Sequence, residues 1–141
     1  MQNKTDYIYA PKVDINEGIS SGTITKAAMV FTKEYFYVIP FESLKVLGAN
    51  MESKYHSAND FISDLFKQIP EINIDDFHGQ MVSYLPPERI YWVNELDKFT
   101  IQVGFWIFGG MRVKKKWQQL QTFNLQPKSL RVELKLFYRM Q

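Results

Sequence analysis

The chain contains no cysteine and only two histidines, and its last third has almost no carboxylate. Without cysteine there are no disulfide staples, no thiolate-bound zinc, no iron–sulfur cluster and no thiol nucleophile, which fits a reducing interior. Long hydrophobic runs are also missing. The opening MQNKTDYIYAPKVD lacks the apolar stretch of about 7–15 residues that a secretory signal requires, and later runs break before the roughly 18 of a spanning helix. The expectation is a soluble, cytoplasmic protein that meets a membrane, if at all, from its surface. No G-x-S-x-G elbow occurs, and Gly104 to Gly110 lacks the Lys-Ser/Thr ending of a phosphate-cradling loop. Asp75, Asp76 and His78 form the only crowding of carboxylates on a histidine, and His56 stands at no ligand spacing from them, so the trio reads as a solvated helix start. These absences lead to an expectation of no enzyme, no metal and no cofactor.

What is present is apolar and aromatic. In 141 residues, 45% are hydrophobic and 16% aromatic, enough for one core without staples. Charge is unevenly placed. Residues 1–110 carry nine cations against fourteen carboxylates, a net of −5; residues 111–141 carry eight against one, Glu133, a net of +7. Such polarity orients a small body toward an anionic surface, because summed fields act beyond single contacts.

Residues 1–20 mix Tyr7, Tyr9, Pro11 and Gly18 without a sustained period, and read as an irregular N-terminal arm before a single α+β domain over 21–141. From Gly22 to Pro40, two β-branched and aromatic runs flank Thr32-Lys33-Glu34, which predicts a hairpin. Phe61, Ile62, Leu65, Phe66 and Ile69 recur at helical spacing before Pro70, predicting a helix over 57–69. A second, shorter helix is expected from Asp75, with Phe77, Met81 and Leu85 on one face before Pro86-Pro87. Strands are expected over 89–93, 99–108 and 111–116, with Gly109-Gly110 as the tight reversal between the last two. Over 128–140 two readings stand. Leu130, Val132, Leu134, Leu136, Tyr138 and Met140 alternate as in a strand, while Leu130, Leu134 and Phe137 also share a helical face behind Pro127.

Two stretches, GTITKAAMVFTKEYFYVIP (22–40) and RIYWVNELDKFTIQVGFWIFGGMRVKKK (89–116), resemble the pleckstrin-homology-like superfold and its GRAM relatives. The resemblance implies a strongly bent antiparallel sheet or partial barrel capped by a C-terminal helix, and so favours a helix over 128–140. It also implies that the helices between 57 and 85 are an insertion. Members of the family commonly bind phosphoinositides through basic residues near their first hairpin. Here Thr32-Lys33-Glu34 is not especially basic, so that role does not transfer to these residues.

The candidate site is Arg112-Val113-Lys114-Lys115-Lys116 with Trp106 and Phe108 before it. On a strand, Arg112, Lys114 and Lys116 project from one face about 6.6 Å apart, and Val113, Lys115 and Trp117 from the other. A cation row of that repeat suits phosphates or lipid headgroups; it also suits a solvated face or a protected sheet edge. In Phe105-Trp106-Ile107-Phe108, one alternating pair would be an exposed wedge beside the cations, although core is the ordinary place for such residues. Trp117, Tyr91 and Trp92 would be the stacking platform of a nucleic-acid reader, a minor reading without any RNA-module signature. The function expected is therefore a non-catalytic binding module for a protein partner or an anionic membrane surface. The alternative is an assembly protein whose sheet edges and aromatic faces build a homo-oligomer.

Overall fold

A computed structural model describes residues 7–16, 24–40 and 74–139. Seven strands, β1 (Ile8–Asn16), β2 (Ile24–Phe31), β3 (Tyr35–Pro40), β4 (Ile90–Trp92), β5 (Leu96–Phe105), β6 (Phe108–Lys115) and β7 (Gln121–Leu125), form one antiparallel sheet. Helix α1 (Ile74–Tyr84) lies between β3 and β4, and α2 (Lys128–Phe137) follows β7. The strand order is β4-β3-β2-β1-β7-β6-β5. Laid flat, β3 and β5 would stand five strand spacings apart, about 24 Å. Instead the Phe36 and Phe99 rings lie 5.6 Å apart, and Tyr91 of β4 donates a 2.6 Å hydrogen bond to Gln121 of β7. The sheet therefore curls into a half-barrel around its own side chains.

Alternation along β2 and β3 divides their residues between two apolar clusters. Ala27, Met29, Phe31, Phe36 and Val38 point into the half-barrel, where they meet Ile15, Met111, Val113 and Phe123. Ala28, Val30, Tyr37 and Ile39 point outward and are covered by Phe77 and Met81 of α1 and by Leu85 just past its end, at a spacing that keeps all three on one helical stripe. The open mouth of the half-barrel is closed by α2, which turns Leu130 and Leu134 inward and leaves Leu136 exposed.

The expected hairpin at 22–40 is β2–β3, reversing at Thr32-Lys33-Glu34, and the short helix starting near Asp75 is α1. The helix expected over 57–69 lies outside the described residues. Two readings need correction. The N-terminal stretch is not irregular throughout, because Ile8–Asn16 is a central strand pairing with both β2 and β7. Pro11 disguises it, and is accommodated where the β1–β2 register shifts between Ala10 and Val13. The β5–β6 reversal falls at Trp106-Ile107, with Phe105 opposite Phe108, so the glycine pair belongs to β6 itself. Of the two readings open over 128–140, the helix favoured by the resemblance is the one found, and Val132 and Leu136, which completed the strand alternation, are exposed.

Candidate functional site

Strands β5 and β6 carry the candidate residues and separate them. On β6, Met111 and Val113 are fully buried, so Phe108, Arg112 and Lys114 occupy the outer face. Pairing sets Lys114 opposite Lys98 and Arg112 opposite Thr100 on one side and Thr122 on the other. The outer face of this hairpin thus holds three cations, Lys98 among them, a residue the linear run 112–116 does not point to. Its signal was in the sequence: 98–132 contains seven Lys or Arg and no Asp or Glu. Lys114 makes a 3.4 Å ion pair with Asp97, both side chains well exposed. Such a pair contributes little stability and offsets only part of the charge.

Lys116 does not join the expected row, and Lys115 lies on the opposite face as alternation predicts. The strand ends at Lys115, and Lys116-Trp117 forms a turn in which Trp117 has φ 64°, so Lys116 leaves the register of Arg112 and Lys114. Lys115 faces the other way. Its ammonium sits 4.2 Å over the Tyr91 ring and donates to the Pro87 and Glu88 carbonyls at 3.4 and 3.2 Å, fastening β6 to the start of β4. Burial lowers the pKa of this amine below its ordinary value, opposed in part by Glu88.

The aromatic stretch departs furthest from the expectation of core. Phe105, Trp106, Ile107 and Phe108 are 73%, 67%, 48% and 66% exposed, and together they form the tip of the β5–β6 hairpin. Its backbone is tightly held from behind. Arg131, the largest fully buried side chain, donates to Val103 O at 2.6 Å, to Leu125 O at 2.7 Å, to Gln126 Oε1 at 3.2 Å and to the carbonyl of Trp106. Gln126 in turn donates to Ile107 O at 3.0 Å. Gly104, at φ 63°, supplies the bulge that aims the tip, and Gly109 leaves room for the guanidinium, since a Cβ there would stand 2.5 Å from Arg131 Nε.

The remaining candidates fall elsewhere. Tyr91 is core, Trp92 stacks on Tyr35 at 5.9 Å and Trp117 is 98% exposed, so the three do not build one stacking platform. His78 lies 3.9 Å from the Tyr35 ring and shares a 2.9 Å hydrogen bond with the Tyr37 hydroxyl, which makes it part of how α1 seats on β3. Asp75 and Asp76 are exposed in the first turn of α1, and among the described residues no group of three or more His, Cys, Asp or Glu is placed to hold a metal ion. An open cleft of about 380 Å³ beside the end of α2 is lined by Lys33, Asn94, Phe99, Tyr138 and Arg139 among others, without a carboxylate. Lys33 is already engaged there, donating to the Phe137 carbonyl with its ammonium 3.9 Å over the Phe137 ring. No helix among the described residues is long and apolar enough to cross a membrane. No protein-family model, curated protein or solved structure matches the chain.

Proposed function

We propose that this chain is a non-catalytic docking module of the pleckstrin-homology-like kind that settles on an anionic surface through the outer face of β5 and β6. The strand order closed by a C-terminal helix supports the fold comparison. Helix α1 between β3 and β4 is a departure from the compact form of that fold, and the turn at Thr32–Glu34 belongs to the second hairpin rather than the first. One observation carries the functional reading: Lys98 and Lys114 face each other across two paired strands, with Arg112 two residues along. Like charges directly opposite are unfavourable in a sheet, and an external anion relieves that repulsion.

The test uses sedimentation with vesicles of phosphatidylserine and phosphatidylcholine at low and high salt. The triple variant Lys98→Ala, Arg112→Ala, Lys114→Ala should keep its circular dichroism. At about 1 kcal/mol for each cation near an anionic leaflet, it should lose about a hundredfold in partition at low salt. Retention equal to that of the parent protein would rule this reading out.

A further inference from the structure

The geometry points to the β5–β6 tip, Phe105-Trp106-Ile107-Phe108, as a preformed wedge that enters the interfacial layer of an anionic lipid bilayer. This rests on the docking reading and assigns the tip a role that charge alone does not give.

Three independent observations converge. First, four consecutive large apolar residues stand in water at a hairpin end, with no polar residue among them. Second, Trp106 has φ 54° at the first central position of a two-residue reversal. That place is normally filled by glycine, whose lack of a Cβ suits a positive φ. Turn chemistry therefore argues against tryptophan, and the strain marks a residue kept for its side chain. Third, the backbone beneath is fixed by side-chain donors, Arg131 fully buried and Gln126 half-buried. Arg131 holds the carbonyls of Val103 and Trp106, and Gln126 holds that of Ile107, so the tip is ordered before it meets anything. A preorganised element loses little further freedom when it docks.

Charge and area select the occupant. Phe108 continues the outer row of Arg112 and Lys114 on β6, with Arg112 about 13 Å behind it, and exposed Lys128 follows two residues after Gln126. No carboxylate occurs between Asp97 and Glu133. Apolar tip in front and cations behind is the arrangement of an interfacial anchor, and tryptophan is the side chain that prefers the headgroup boundary. The four side chains present on the order of 500 Å², short of the about 800 Å² per partner of a stable protein interface. A bilayer needs no matching groove.

The experiment uses the full chain with Trp92→Phe and Trp117→Phe, leaving Trp106 as the only tryptophan. With phosphatidylserine-containing vesicles its emission should shift to the blue and be quenched by bromine atoms on the acyl chains. In the otherwise native chain, Trp106→Gly, with Trp106→Asn as a second choice, should leave the unfolding midpoint unchanged or higher and weaken vesicle binding at least tenfold. Vesicle binding without quenching would overturn the wedge while leaving the charged docking face intact. Absence of any vesicle binding by the parent chain would remove both. A blue shift that depends on protein concentration without lipid, accompanied by a dimer in light scattering, would assign the tip to a second copy and overturn the proposal. A Trp106→Gly protein that is destabilised but binds vesicles normally would overturn it as well.

Discussion

Two hairpin turns of this sheet, β2–β3 and β5–β6, differ sharply in composition, yet both reach into water: Lys33 and Glu34 are exposed at the first, and Phe105 to Phe108 at the second. The β2–β3 turn is polar, Thr32-Lys33-Glu34, yet Thr32 is 1% exposed and its carbonyl accepts a 2.7 Å hydrogen bond from Tyr138. The β5–β6 turn is wholly apolar and stands in water. Both are held from the same segment, since Tyr138 follows α2 and Arg131 lies within it, and both are held chiefly through main-chain carbonyls. The comparison teaches that hydrophobicity did not decide which turn residue is covered, because polar Thr32 is buried and Trp106 is not. Position relative to the C-terminal segment decided it.

The strongest way to break the comparison is to remove the donor set under the exposed turn. Arg131→Met should cost about 3 kcal/mol in denaturant unfolding, because Leu125 O and the carbonyls of Val103 and Trp106 lose a partner, at about 1–3 kcal/mol for each one left unsatisfied. Arg131→Lys should recover little of this, since a single ammonium cannot reproduce the guanidinium fork. Next in size is the β2–β3 turn. Tyr138→Phe removes one hydrogen bond and should cost about 1 kcal/mol near neutral pH. Burial raises the Tyr138 hydroxyl above its ordinary pKa of 10.0, and Tyr37 is raised in the same way. The folded chain therefore keeps these protons where the unfolded chain sheds them. Their contribution is complete below pH 10 and falls away as the pH rises further, and Tyr138→Phe should flatten the loss of melting temperature on that alkaline side. The smallest effect belongs to the outer face. Lys114→Ala should change stability by no more than about 0.5 kcal/mol, because its partner Asp97 is exposed and the pair is screened.

What the sequence disclosed follows which force was dominant locally. Around Thr32-Lys33-Glu34, β-branched and aromatic runs agree with the turn chemistry, and β2–β3 was legible. At α1 the stripe Phe77, Met81, Leu85 behind two aspartates left little ambiguity. The first strand was hidden because Pro11 argues against a strand unless a bulge absorbs it, and a bulge is visible only in the pairing. Gly109 and Gly110 suggested a reversal because glycine has several uses. Here Gly109 clears a path for Arg131, a contact between residues 22 apart that no local pattern encodes. The site was legible in part. Alternation put Arg112 and Lys114 together and Lys115 opposite, but not the partnership with Lys98, which depends on strand register. The exposure of Trp106 and Phe108 ran against composition altogether.

Helix α1 covers the sheet's exterior over β2 and β3. That flank is sealed, and it bears Asp75 and Asp76 at its rim, whereas the flank built from β5 and β6 is bare and cationic. A molecule resting on a negatively charged plane is thus pulled at one side and repelled at the other. On the proposed docking reading it settles with α1 facing away, so anything joined to that helix would be displayed to the solvent.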